Sequence, residues 1–291
     1  MGKNCETMAW RTTKKSIKYI SDFVQWNLNP YEKYDETNIK IKEALNSIKK
    51  KSYYKYQNFL NDKQILDLKK KIYSNIKKKD TNTTNIRSEH LYQKRIVFDP
   101  ENPIFKDLVN HKFISSVAKG FYNSSYINFM KLTYELKKGI GEFDLNRIND
   151  KHREYHYHSD RLFGWIKFCL FLEDIEENNG PFCIIPASQN WPKSILDFKY
   201  RIRTFYSNNS SPLPTFDKEK LKKYFNTENE VKLTGKKGDL MVANTAAYHK
   251  GANVKKNFTR EVLWFYTKFP SSFETFTGKI KNSIIKKNFI F

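Results

Sequence analysis

The chain has 291 residues, with 53 basic and 31 acidic side chains and a formal net charge of +22. A chain of this length removes roughly three-quarters of its unfolded surface from water. With 39% hydrophobic and 16% aromatic residues it has the material for a core, which excludes a disordered chain despite the charge. It contains no run of about 18 apolar residues, so no membrane span is expected.

Residues 1–120 are expected to be mainly helical. From Asp62 to Ile76, the residues Ile65, Leu66, Leu68, Ile72 and Ile76 recur at near-helical spacing, with Asn61 or Asp62 placed to cap the start. Thr81 to Ser88 is polar and reads as a loop. Another helix opens at Asn102-Pro103, carries Phe105, Leu108 and Val109 on one side, and continues through His111 to Phe121. After Asn123 the period changes. Tyr126 to Leu136 alternates and is rich in β-formers. Gly164 to Leu172, Pro181 to Ile185, Val231 to Leu233, Asp239 to Asn244 and Arg260 to Lys268 follow as short strands. Strands punctuated by Gly, Asn and Pro, with no helices alternating between them, predict an antiparallel sandwich or barrel. Ala187 to Asn229 reads as a long surface insertion, a lid. The expected organisation is an N-terminal helical region at 1–120, a β core at 121–270 with its insertion at 187–230, and a tail at 271–291.

Only nine of the basic residues are arginine, and the lysines scatter in short clusters such as Lys49-Lys50-Lys51, Lys77-Lys78-Lys79 and Lys255-Lys256. Arginine is the residue suited to bidentate phosphate and base contacts. The charge is therefore read first as solvated surface, then as attraction for an anionic small substrate, and last as nucleic-acid binding. Cys5, Cys169 and Cys183 give neither a disulfide framework nor a zinc spacing. Cys169 and Cys183 lie in apolar runs and read as small buried hydrophobes. A reducing, cytoplasmic setting is expected. Met1 to Glu6 leads into Lys and Thr without an apolar stretch, so no secretory leader is expected.

The histidines are His90, His111, His152, His156, His158 and His249. In an extended segment, residues two apart point to the same face. His158-Ser159-Asp160 thus brings an imidazole and a carboxylate to one point. Two histidines and one carboxylate on a single face of a metal leave open positions, the arrangement of non-haem Fe(II) oxygenases. His249 is the one histidine C-terminal to this pair, at the end of an apolar strand. Eleven residues later Arg260 opens another apolar strand. An arginine there needs a planar anionic partner, met either by a ligand carboxylate or by a protein Glu or Asp. His156 shares the face of His158 and reads as hydrogen-bonded or solvent-facing. His152 reads as exposed, and His90 and His111 have no partners by spacing. Arg161 follows Asp160 directly and belongs at the site mouth, facing an acidic substrate group or a rim carboxylate. Tyr157, Trp191, Arg203 and Phe205 either line the pocket or pack the lid.

The set His158-x-Asp160, His249 and Arg260 resembles the phytanoyl-CoA dioxygenase family of Fe(II)- and 2-oxoglutarate-dependent oxygenases. The resemblance extends to His158-Ser159-Asp160-Arg161, Glu177-Asn178-Asn179-Gly180-Pro181, Pro186-Ala187-Ser188 and Lys237-Gly238-Asp239, over roughly residues 120–270. It implies a mainly β fold: a double-stranded β-helix (jelly-roll, cupin-like) core flanked by α-helices, with a helical N-terminal part. It also implies that His158, Asp160 and His249 bind Fe(II) and that Arg260 holds the distal carboxylate of 2-oxoglutarate. Trp165 would lie near that cosubstrate, with Lys131 or Asn128 as a polar contact on the preceding strand. Arg161 and Tyr157 are the substrate-binding candidates. The implied reaction uses O2 to hydroxylate an unactivated C–H bond of a small metabolite or carrier-linked substrate, while 2-oxoglutarate becomes succinate. Asp160 stands where related halogenases have a small residue, which implies oxidation rather than halogenation. Gly251 replaces a serine common in the family two residues after the last histidine, and Tyr155 a glutamine three before the first. Two alternatives keep the same metal residues: a cupin-like metal-binding protein without oxygenase activity, and a nucleic-acid demethylase. Glu261 to Pro270 lacks the second arginine usual in the latter.

Overall fold

Along the chain's longest C-terminal strand, successive side chains alternate between two apolar environments, and that alternation organises the molecule. The computed structural model describes residues 38–78, 82–122, 127–142, 155–160, 164–190 and 215–268. Arg161, His152, the expected lid residues 191–214 with Trp191, Arg203 and Phe205, and the expected tail lie outside these. The described strands are β1 (Tyr53–Tyr56), β2 (Asn82–Arg87), β3 (Leu91–Phe98), β4 (Asn128–Gly139), β5 (Tyr157–His158), β6 (Ile166–Phe171), β7 (Phe182–Ile184), β8 (Thr215–Phe216), β9 (Val231–Leu233), β10 (Leu240–Asn244), β11 (His249–Gly251) and β12 (Thr259–Lys268). They form a seven-stranded sheet in the order β1-β10-β6-β12-β4-β3-β2 and a five-stranded sheet in the order β8-β5-β11-β7-β9. The strand pairs within both sheets are antiparallel.

On β12, Val262 and Trp264 point between the sheets, where they meet Cys169, Phe171, Met241 and Ala243 of the large sheet and Ile184 and Leu233 of the small one. Leu263 and Phe265 point the other way, with Phe168, Leu170, Leu240 and Val242, into a second core under the helices. A strand buried on both faces has this continuous apolar reading. The two packed sheets with helices on one outer face are the jelly-roll expected from the sequence.

The helices that cover the large sheet are set by local chemistry. In α1 (Ile39–Lys51), Ile41, Ala44 and Ile48 are buried, Asn38 caps the start, and Lys49, Lys50 and Lys51 sit in the last turn, where cations favour the helix dipole. In α2 (Asp62–Lys78), Ile65, Leu68 and Ile72 are buried. Its first turn is closed reciprocally: Gln64 N–H donates to Asn61 Oδ1 at 2.9 Å, and Asn61 N–H to Gln64 Oε1 at 2.9 Å. Leu66, expected on the apolar face, is 53% exposed, because one residue past Ile65 turns it about 100° away. Glu261, facing outward from β12, fixes α2 to the sheet through Lys69 Nζ at 2.5 Å, Tyr73 OH at 2.5 Å and Tyr134 OH at 2.9 Å.

Two expectations are corrected here. The polar stretch 81–88 contains strand β2, paired with β3 from Asn82↔Val97 to Arg87↔Tyr92. It is the sheet's edge, so one side of its ladder faces water and its side chains need not be apolar. With β1 and β3, the N-terminal region supplies strands as well as helices. The helix opening at Pro103 is also not continuous. A 3-10 turn (Pro103–Phe105) leads into the short α3 (Lys106–Val109), and α4 (Lys112–Tyr122) starts afresh. His111 Nδ1 accepts the Phe113 N–H at 3.2 Å and caps that new start.

Candidate metal centre

The triad is assembled by one antiparallel pairing and one loop bond. His158 on β5 stands directly opposite His249 on β11, and their ring centroids are 4.4 Å apart. Asp160 follows β5, and its N–H donates to the Thr245 carbonyl at 2.9 Å, which holds the carboxylate beside the approach to β11. The Pro186-Ala187-Ser188 segment secures the other flank: Ser188 Oγ accepts the Tyr248 N–H at 2.8 Å. One ligand atom from each of His158, Asp160 and His249 lies within 4.8 Å of the others.

The donor set fits a divalent metal. His158 Nδ1 is 2.8 Å from the His156 carbonyl, and His249 Nδ1 is 2.9 Å from the Ala247 carbonyl. Such a contact places the ring proton on Nδ1 and leaves the Nε2 lone pair for a metal. Burial pushes the His249 imidazole down to about 3; the neighbouring His158 adds to this and Asp160 opposes it. It is therefore the neutral ligand form at pH 7. Burial alone would raise the Asp160 carboxyl, but Lys167, His249 and His158 beside it hold it well below the usual range. The group is anionic, as a metal ligand must be.

Lys167 was not legible as a site residue. Its Nζ lies 2.6 Å from Asp160 Oδ2, with the side chain only 12% exposed. The available signal was parity: in Gly164 to Leu172 it is the one charged residue, two before the inward-facing Cys169. Lys167 lies 4.7 Å from the Tyr266 ring centroid and 5.0 Å from that of Trp165. Lys131 Nζ is likewise 4.7 Å from the Tyr266 ring. Burial lowers the Lys131 pKa, and the charges of Lys167 and Arg95 add to this. The structure thus sets Lys167 on Asp160, with the Trp165 and Tyr266 rings against its ammonium and Lys131 on the same Tyr266 ring. The Trp165 indole N–H is directed at the Thr267 carbonyl, at 2.8 Å.

Tyr157 is not brought to the site. It alternates with His158 and faces the opposite way, into a small core with Ile185, Phe216, Leu221 and Tyr248, and its hydroxyl donates to Glu230. On a two-residue period, the neighbour of an inward ligand must point outward.

Arg260 is 5% exposed and already has a protein carboxylate. Its Nη2 is 2.5 Å from Glu135 Oε1, and its Nη1 donates to the Gly180 carbonyl, in the Glu177-to-Pro181 turn. Glu135 Oε2 takes Arg95 Nε at 2.6 Å and Gln93 Nε2 at 2.8 Å. Burial by itself would raise the Glu135 carboxyl, yet the charges of Lys137, Arg95 and Arg260 hold it well below the ordinary value. Its share of stability is then fully present above the unfolded-state pKa, near 4.3. That share is lost as pH falls from there toward the lower folded value. The urea midpoint of the wild type should therefore drop more between pH 5 and pH 3 than that of Glu135→Gln. Parallel slopes for the two proteins would exclude this contribution.

Residues 33–262 match the sequence profile of the phytanoyl-CoA dioxygenase family. A search of curated proteins gave no match. Among solved structures, the chain is similar to the epimerase SnoN in complex with Fe3+, α-ketoglutarate and nogalamycin RO, at 12% identity over 79% of this chain and 84% of that one, TM-score 0.56. It is similar to EctD from S. alaskensis with 2-oxoglutarate and 5-hydroxyectoine, at 13% identity over 84% and 81%, TM-score 0.55. HygX from Streptomyces hygroscopicus, with nickel, 2-oxoglutarate and hygromycin B, gives 11% identity over 77% and 86%, TM-score 0.50. At these identities the likeness is one of fold. No helix among the described residues is long and apolar enough to cross a membrane.

Proposed function

The chain belongs to the phytanoyl-CoA dioxygenase family, and from that premise we propose that it is an Fe(II)- and 2-oxoglutarate-dependent oxygenase that oxidises a C–H bond of a small molecule. The observation that carries this reading is the triad: two imidazoles with tethered Nδ1 atoms and one anionic carboxylate, converging within 4.8 Å. His158, Asp160 and His249 would hold the iron. Iron so held supplies, with O2 and 2-oxoglutarate, the oxidising power to break an unactivated C–H bond while 2-oxoglutarate is converted to succinate.

The protein's own residues do the remaining work. Trp264 of the large sheet packs 5.9 Å from Phe182 of the small sheet, and Phe182 stacks on His249 at 4.9 Å. These rings exclude water from the histidine and fix its plane. Arg260 is the residue proposed to receive the distal carboxylate of 2-oxoglutarate. Its Nε is buried without a partner, and so is Thr133 Oγ1 on the neighbouring strand. With Lys167 paired to Asp160, Lys131 on the Tyr266 ring supplies the positive charge on this side, which favours a substrate bearing a carboxylate or phosphate. Hydroxylation is the proposed outcome. Epimerisation, the activity named for SnoN, would begin at the same kind of C–H bond. A metal-binding barrel without oxygenase activity is the competing reading, and the observation that favours it is Glu135 on Arg260.

An anaerobic titration of the Fe(II)-loaded protein with 2-oxoglutarate tests the proposal. A visible iron-to-ketoacid charge-transfer band is expected in the wild type, and Arg260→Ala should require far more 2-oxoglutarate to develop it. An iron-loaded wild type that shows no band with any 2-oxo acid would sink the oxygenase reading.

A further inference from the structure

The arginine proposed to receive the cosubstrate is met by a carboxylate from within the barrel. Glu135 lies on β4, where Lys131, Thr133, Glu135 and Lys137 share the inward face while Leu132 and Tyr134 pack under the helices. Register fixes the order along that face. Thr133 pairs with Trp264, Glu135 with Val262, and Lys137 with Arg260. Lys131 marks the end nearest the triad, through Tyr266 and Lys167.

The two oxygens of Glu135 have separate holders. Oε1 meets Arg260 alone, at 2.5 Å. Oε2 is held by Arg95 at 2.6 Å and Gln93 at 2.8 Å. Lys137 lies one inward position further on, close enough to lower the Glu135 pKa, with its Nζ 5.5 Å from the Tyr155 ring centroid. Three cations, Arg260, Arg95 and Lys137, thus surround one carboxylate. Stripping a buried carboxylate of all its partners is strongly unfavourable, but Glu135 can release Arg260 and keep Arg95 and Gln93. The unpartnered Arg260 Nε and Thr133 Oγ1 belong to this same cluster.

We propose that Glu135 is an internal stand-in for the cosubstrate's distal carboxylate, holding Arg260 until a dicarboxylic 2-oxo acid takes its place, and that it thereby sets the affinity and selectivity of the site. The proposal rests on the cosubstrate reading above. Its consequence is specific. Glu135 competes only with ligands that reach Arg260, so it weakens the binding of 2-oxoglutarate and leaves untouched a 2-oxo acid with no distal carboxylate.

The test uses the full-length Fe(II)-loaded chain under anaerobic conditions, titrated separately with 2-oxoglutarate and with pyruvate. Binding is followed by the charge-transfer band and, independently, by the rise in melting temperature. Glu135→Gln should tighten 2-oxoglutarate by about tenfold or more, the scale of one charge-assisted hydrogen bond, and leave pyruvate unchanged. Because glutamine loses charge in a buried cluster, Glu135→Asp serves as a second variant. It keeps the charge but withdraws it by one methylene, and should show a smaller gain with the same selectivity. Unchanged or weaker 2-oxoglutarate binding in both folded variants would overturn the proposal, as would an equal gain for pyruvate. A wild type that gives a band with pyruvate and 2-oxoglutarate while the variants gain nothing refutes the stand-in alone. No band in any protein with either acid refutes the cosubstrate reading and this proposal together.

Discussion

Asp160→Asn is expected to lower Fe(II) affinity by more than about hundredfold, beyond the ten- to hundredfold typical of losses outside the ligand shell, while the fold persists. The substitution is isosteric, and the main-chain bond from residue 160 to the Thr245 carbonyl is untouched. What changes is charge. The wild-type site offers a dication one carboxylate, and that carboxylate also neutralises Lys167 at 2.6 Å. With asparagine, the metal would meet two neutral imidazoles and an ammonium that no longer has its anion, a repulsion felt strongly in a buried site. The ammonium left behind also destabilises the metal-free protein, since breaking a buried pair strands the other charge. Asp160→Asn combined with Lys167→Met should therefore regain stability and part of the metal affinity. Competition for Fe(II) against a chromogenic chelator, with circular dichroism as the check on folding, measures both. Wild-type affinity in the single variant would mean that the metal binds elsewhere.

The grouping of His158, Asp160 and His249 was readable because its constraint is local. An x-D pair after His158 needs only an extended backbone, and His249 and Arg260 stand at strand edges that hydrophobic runs make visible. The sandwich was readable for a related reason: the middles of β6, β10 and β12, at 168–171, 240–243 and 262–265, are buried on both faces and are apolar without a break. The missed features depend on which way a strand faces. In Tyr126 to Leu136 the alternation is plain, but polar residues of an alternating strand ordinarily face water. Here Lys131, Thr133, Glu135 and Lys137 face the barrel interior, because the helices cover the opposite side with Ile96, Leu132 and Tyr134. Parity without a known exterior could not distinguish the two. The partner of Arg260 was left open between a ligand and a protein carboxylate for the same reason, and Tyr157, a candidate for the pocket, lies in a small core instead. Strand β2 escaped because an edge strand with one solvated side needs no apolar pattern.

Of the short motifs, Lys237-Gly238-Asp239 shows what a turn can be selected to do away from the chemistry, and Gly238→Ala should be among the most destabilising single changes in the chain. Gly238 has φ +91°, a conformation that a side chain rarely adopts. A Cβ there would stand 2.1 Å from the Leu60 carbonyl oxygen, a main-chain atom that cannot swing aside. The contact is close because the turn is the dock for the segment between β1 and α2. Leu60 N–H donates to the Gly238 carbonyl at 3.0 Å, and Gly238 N–H donates to Phe171 at 2.9 Å. Asp239 accepts from Asn58 N–H and from Lys236 N–H, each at 2.9 Å. Alanine must therefore strain the backbone and also push residues 58–60, with α2 behind them, away from the barrel. The expected cost is about 3 kcal/mol or more, a fall in Tm of roughly 6–12 °C for a domain of this size. The triad residues are joined to none of these bonds, so Fe(II) affinity of the folded fraction should stay at the wild-type value. Calorimetry with and without Fe(II) separates the two quantities. An unchanged Tm would show that the Leu60 contact is not formed, and a matching loss of metal affinity would show that this dock is coupled to the triad.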